Sequence, residues 1–198
     1  MCLLIHKPRS THFDYNDLAN FYDANRDGVG IIRPEHNGEV TVKKLVAPTI
    51  GQFIDFYDDH CAGVDVVLHL RYRTHGDVNH QNTHPYPISG RHGLWLAHNG
   101  ILPQGNSWDR SKSDTWHFIE RIIKPLVTEF GTKVYKHPKF QAEMAKLIGP
   151  GNRFVMMAKG DPQPVIINRE TGVMYKGAWM SNTYAWAPPQ TIRRAAAA

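Results

Sequence analysis

Two cysteines among 198 residues, Cys2 and Cys61, are too few for a disulfide scaffold, so a reducing cytoplasm is the expected setting. Long apolar runs are missing as well. None approaches the roughly 20 residues of a membrane span, and the opening MCLLIHKPRS offers only LLI where a signal peptide needs a longer core. No low-complexity block, repeat or linker interrupts the chain, which predicts one domain. Acidic excess is absent too: the net charge is +5. The basic residues are nevertheless scattered and belong to no recognisable nucleic-acid module, which argues against a nucleic-acid partner. His69, His75, His80, His84, His92 and His98 fall within 30 residues, yet neither H-E-x-x-H nor C-x-x-C is present. The sequence therefore predicts no metal site.

What is there is an α+β pattern. Strand-like runs occupy 2–6, 28–33, 39–46, 64–72, 93–98, 153–159, 163–168 and 173–178. In the fourth, Val64, Val66, Leu68 and Leu70 alternate with Asp65, Val67, His69 and Arg71, the period of a half-buried strand. NRETG at 168–172 reads as a hairpin between two such runs. Helical spacing marks 15–24, 49–61, 114–130 and 137–148, with Pro125 expected to kink or split the third. Strands and helices in separate blocks predict antiparallel sheets covered by helices. The AAAA that follows Arg194 reads as a disordered tail or an expression remnant. The domain is thus expected to span 1–192, with 193–198 outside it.

Five short stretches carry polar or conformationally special residues. Cys2 reads either as a small core residue or as a nucleophile. Its size permits removal of the initiator methionine, and a free α-amine with a pKa of about 8 could then act as base for its own thiol. NRDGVGI, 25–31, marks a tight turn or a close backbone approach. LHLRYRTHG, 68–76, ends a strand in an arginine fork suited to a carboxylate, followed by Thr74, His75 and Gly76; an ordinary polar strand end is the plainer reading. LWLAHNGIL, 94–102, runs a strand into Asn99-Gly100. That is a hairpin signal, or else a side-chain amide and an unhindered N–H converging on one oxyanion. SKSDTWHF, 111–118, supplies Ser113 or Asp114 as a helix N-cap, or a carboxylate that grips an ammonium.

Taken in order, the series resembles the class II glutamine amidotransferases: Met-Cys, Asp-Gly-x-Gly-Ile, His-x-Arg-x-x-Thr-His-Gly, Asn-x-His-Pro, His-Asn-Gly and Ser-Asp-Thr. It runs from Cys2 to Thr115, and the closing GAWMSNTYAW is similar to the end of such domains. The resemblance implies an N-terminal-nucleophile hydrolase fold, a four-layer αββα sandwich of two antiparallel sheets. It implies Cys2 as the nucleophile, with Asn99 and Gly100 as the oxyanion hole. Arg71, Thr74, His75, His84 and Asp114 would bind L-glutamine. Arg71 would take its α-carboxylate and Asp114 its ammonium, with Thr74, His75 and His84 lining the site. No cofactor is implied. Leu3 departs from the glycine common after the nucleophile, and Arg73 stands where alanine is frequent. The implied reaction releases ammonia through a γ-glutamyl thioester, and a separate ammonia-accepting synthase is the implied partner. Hydrolysis of γ-glutamyl peptides or other amides is the alternative enzyme reading, and a non-catalytic binding protein on the same fold is the third.

Overall fold

The computed structural model describes residues 2–90, 93–102, 109–184 and 193–194. In chain order the first elements are β1 (Leu3–Lys7), α1 (Tyr15–Ala24), β2 (Gly28–Pro34), β3 (Val40–Val46), α2 (Ile50–His60), β4 (Val66–Arg71), β5 (Tyr86–Ser89) and β6 (Leu94–Asn99). Then come α3 (Asp114–Phe118), a π-helical turn (Ile119–Ile123), α4 (Lys124–Phe130), α5 (Pro138–Ile148), β7 (Arg153–Ala158), β8 (Asp161–Ile167), β9 (Val173–Tyr175), β10 (Ala178–Met180) and β11 (Arg193–Arg194). Among the described residues the strands form two antiparallel sheets. One runs β11-β9-β10-β1-β4-β2-β3 and the other β5-β6-β7-β8.

Three apolar interfaces define four layers. Leu3 and Ile5 of β1, with Val29, Ile31, Leu68 and Leu70, pack under Leu18 and Phe21 of α1 and Phe53 and Tyr57 of α2. The alternate residues Leu4, Ile32 and Val67 point the other way and meet Ala97, Val155 and Met157 of the second sheet. That sheet turns Leu94, Leu96, Phe154 and Met156 toward Phe118, Ile123, Phe140 and Met144 of the remaining helices. Both sheets are thus covered on both faces, which explains consecutive apolar residues such as LLI. No helix among the described residues is long and apolar enough to cross a membrane.

Several expectations are corrected by the pairing. β4 is buried at every position rather than half-buried, because it lies inside the sandwich. NRETG is not a hairpin: β8 pairs with β7 and β9 with β10, so the segment carries the chain from one sheet to the other. The real hairpin lies inside the expected strand 173–178. Lys176 and Gly177 both have positive φ (48° and 85°), the requirement of a tight two-residue turn. Asn99-Gly100 makes no hairpin either, since the neighbours of β6 are β5 and, some 50 residues on, β7. Arg193 and Arg194 pair with Met174 and Val173, while 195–198 lie outside the described residues. Pro125 acts as expected on helical bonding. The N–H of Lys124 reaches back five residues to Ile119, so one π turn precedes the residue that has no N–H to give.

Candidate active site

Cys2 lies just before β1, and β1 pairs with β4 so that Leu3 faces Leu70. This register sets Cys2 beside Arg71 at the same sheet end. The Cys2 Sγ lies 3.4 Å from both the N and the O of Tyr72. The Cys2 carbonyl accepts from two side-chain amides, those of Asn99 and Asn182, the latter at 2.9 Å. Asn182 Nδ2 also reaches Asn99 Oδ1 at 3.1 Å. Burial pushes the Cys2 thiol above its usual pKa; the Tyr72 backbone and the Arg71 charge oppose that shift and Asp114 adds to it. The resting sulfur is therefore a thiol in need of a base.

Arg71 is buried, and two of its five N–H groups are committed. Nη1 donates to the Asp77 carbonyl at 2.9 Å and Nη2 to the His75 carbonyl at 3.0 Å. The loop after β4 is thereby folded around the guanidinium. Asn82 ties the same loop down, donating to the carbonyls of Asp77 and Ser111 and accepting from the Ser113 N–H. Gly76, with φ +71°, allows the close approach: a Cβ there would lie 2.8 Å from the Ser113 nitrogen. Thr74 and His75 stay exposed on the loop, and among the described residues their side chains make no hydrogen bond. The Arg73 side chain is exposed too, although its N–H donates to Asp27 at 2.6 Å.

Ser113, not Asp114, caps α3, its hydroxyl accepting from the Trp116 N–H at 3.1 Å. The buried Asp114 carboxylate instead takes the N–H of Leu102 on one oxygen and that of Thr115 on the other, each at 2.8 Å. Gly100 is required by φ +137° and by Asn152, whose side-chain oxygen would lie 2.1 Å from a Cβ there. The same oxygen accepts from His98 Nε2 at 2.9 Å, because the Asn152 amide nitrogen is used on the Ile148 carbonyl. His98 Nδ1 in turn meets the Thr115 hydroxyl at 2.7 Å. One asparagine from the start of β7 thus supports both Gly100 and the residue next to Asp114.

His84 is buried, its Nδ1 2.7 Å from His69 Nε2, which also lies 3.0 Å from the His98 carbonyl. Burial lowers the pKa of all three imidazoles, that of His69 to about 3. Among the described residues His69 Nδ1 and His84 Nε2 have no hydrogen-bond partner. Both readings of NRDGVGI hold, the turn at Arg26-Asp27 and the close approach at the glycines that follow. Gly28 and Gly30 lie within β2, and a Cβ on Gly30 would sit 1.8 Å from the His84 carbonyl oxygen. Among the described residues no group of three potential ligands is arranged to hold a metal.

A family model described as class-II glutamine amidotransferases matches residues 2–119. The chain belongs to that family. Its matched segment begins at Cys2 and covers the site side chains described above except those of Asn152 and Asn182. No curated protein matches the chain. Among solved structures it is similar to the glutamine phosphoribosylpyrophosphate amidotransferase of B. subtilis complexed with ADP and GMP, with a TM-score of 0.53 and 19% identity. A second similar structure, described as the allosteric regulatory enzyme of purine biosynthesis, gives 0.55 and 19%. Each likeness covers 93% of this chain and 42% of the other, so the chain spans well under half the length of those proteins. The four layers are those of the N-terminal-nucleophile fold of the amidotransferase glutaminase domain, as expected.

Sequence reasoning missed Asn82, Asn152 and Asn182, and it assigned nothing to His98 or Thr115. Asn82, His98, Thr115 and Asn182 sit inside quoted motifs, so residue type was visible. The partners, 54 residues apart for His98 and Asn152, were not.

Proposed function

We propose that this class II amidotransferase domain, taken as residues 1–192, hydrolyses the side-chain amide of L-glutamine with Cys2 as nucleophile. The observation that carries the reading is the Cys2 environment. The sulfur sits at the end of β1 beside Arg71 and within reach of the Asp114 charge, in the family segment that opens at that residue. Met1 lies outside the described residues; its removal is part of the proposal, because only a free α-amine could take the thiol proton. The thiolate sulfur then attacks the amide carbon, and the carbonyl π pair moves onto oxygen. As the C–N bond breaks, its electron pair takes the proton from the ammonium of Cys2 and ammonia leaves. Water hydrolyses the remaining γ-glutamyl thioester to glutamate.

Asn99 and the Gly100 N–H would hold the tetrahedral oxyanion, where one donor is typically worth about 3–4 kcal/mol of barrier. At rest the Asn99 amide donates to the carbonyl of Cys2 itself. Asn182 donates to that carbonyl as well, so Asn99 can turn toward substrate without leaving a buried acceptor unpaired. Arg71 keeps three N–H groups for the substrate α-carboxylate, and Asp114 would receive the ammonium. Thr74, His75 and His84 would line the pocket. Ammonia would pass to a separate synthase. Both cysteines are free, in keeping with a cytoplasmic setting.

The test is glutamate release from glutamine by purified protein, with intact mass before and after a glutamine-analogue electrophile. We expect loss of Met1, labelling at Cys2 and no release by Cys2→Ala. Arg71→Ala should raise the glutamine KM. Equal activity in wild type and Cys2→Ala would end the proposal.

A further inference from the structure

Where β3 and β5, the edge strands of the two sheets, meet the start of α3, a cavity of about 570 Å3 opens beside the site just described. Its walls are aromatic, with Trp95 of β6, Tyr86 of β5 and Trp116 of α3, and two lysines enter it, Lys44 from β3 and Lys112 from the loop before α3. Lys44 Nζ stands 5.7 Å from the centre of the Tyr86 ring and Lys112 Nζ 5.8 Å from that of Trp116. Among the described residues no carboxylate lines the cavity, and neither lysine forms an ion pair. Lys112 donates to the neutral Gln81 amide, and Lys44 to the His80 carbonyl at 3.4 Å.

Lysine stems often lie over aromatic rings with the charge left in water. Lys44 is half-buried here, and burial drags its pKa down to about 8. Two cations converging on one concave aromatic site, one of them half-buried and neither with a counter-charge among the described residues, raise the free energy of the empty site. A bound anion would lower it. The partly exposed faces of Trp95 and Trp116 add what a plain anion site lacks, surfaces against which a flat ring can stack.

We propose that this cavity binds a planar aromatic ring bearing a phosphate or carboxylate, the ring against Trp95 and Trp116 and the anion between Lys44 and Lys112. The site is separate from the glutamine reading and stands or falls without it. It nevertheless touches the same wall: the Tyr86 hydroxyl lies 2.6 Å from the hydroxyl of Ser113, the residue before Asp114.

Titration calorimetry on the whole chain tests this with four probes: AMP, indole-3-carboxylate, adenosine and inorganic phosphate. We expect at least one aromatic anion to bind saturably, and at least about tenfold more tightly than adenosine or phosphate. AMP alone would identify the phosphate class and indole-3-carboxylate alone the carboxylate class. The double variant Lys44→Gln/Lys112→Gln should weaken that binding at least about tenfold, whereas Lys44→Arg, which keeps the charge, should retain it. Trp95→Leu should weaken it as well, with circular dichroism unchanged. The inference is overturned if neither aromatic anion saturates by about 10 mM, or if the double lysine variant binds as wild type does.

Discussion

Replacing Gly30 by alanine tests how the glycine pair in β2 is tied to the candidate site. The added methyl would lie 1.8 Å from the His84 carbonyl oxygen, 2.9 Å from its carbon and 3.2 Å from Pro85 Cδ. Comfortable contact needs about 3.5 Å, so one backbone must retreat by roughly 1.5 Å. Neither is free to do so. Gly30 is paired on both sides, to Lys44 of β3 and His69 of β4, and His84 is held by its contact with that same His69. Overpacking of this kind costs about 3 kcal/mol or more, the upper end of the usual range. In a chain of this size the melting temperature should fall by about 6–12 °C. Gly51 in α2 is the control, because its nearest neighbour would be 4.0 Å away. Gly51→Ala should leave the melting temperature unchanged or raise it by a few degrees, since alanine favours helix by about 0.5–1 kcal/mol. Both variants are read by thermal circular dichroism. A Gly30→Ala protein melting within about 2 °C of wild type would show that β2 and the 84–85 backbone are not in contact, and the described geometry would be wrong.

Acid should destabilise the fold well before carboxylates titrate. His69, His84 and His98 are held neutral by burial, so below pH 6.5 the unfolded chain gains protons that the native one refuses. Their contribution is complete above pH 6.5 and declines as pH falls below it, for His69 toward about 3 at about 1 kcal/mol per pH unit; urea midpoints at pH 8, 6 and 5 would check it, and a flat profile would refute it. Asn152→Ala strips the acceptor from His98 Nε2 and the support from Gly100. It should cost about 2–3 kcal/mol in urea unfolding and lower kcat for glutamine hydrolysis, and wild-type values for both would refute the supporting role. Asp114→Asn turns one backbone acceptor into a donor facing the N–H of Leu102 or Thr115. If Asp114 also grips the substrate ammonium, the glutamine KM should rise at least about tenfold while kcat falls less, and an unchanged KM would remove it from that role.

How much of this was legible depends on how far apart the interacting residues are. The apolar run of β1 and the helical spacing of α2 are local, and both elements lie within a residue of where those patterns put them. NRETG has the composition of a hairpin because a chain leaving one strand and entering another needs the same glycine and polar residues whether or not the two strands pair. Only the pairing decides the matter, and β8 turns back on β7 while β9 pairs onward with β10, each across a two-residue connection. Burial on both faces of β4 was likewise hidden. His69 and Arg71 look like solvent-facing alternates until a second sheet covers them, and their burial is affordable only because the His98, His75 and Asp77 carbonyls are waiting.

The candidate site divides along the same line. Residue types at Cys2, Arg71, Asn99 and Asp114 were readable as chemistry, but their resting engagements were not. Both amides that meet the Cys2 carbonyl come from distant segments, 97 and 180 residues away. That arrangement constrains mechanism more than the motif does. If Asn99 alone satisfied the carbonyl, turning toward substrate would leave a buried acceptor bare at a cost of about 1–3 kcal/mol, much of what one oxyanion donor returns. Asn182→Ala creates that situation. It should therefore depress kcat by about tenfold or more while leaving the glutamine KM near its normal value, because the penalty falls when Asn99 turns and not when glutamine docks. Steady-state kinetics would read the split, and a variant whose KM rises while kcat holds would refute the shared-carbonyl account.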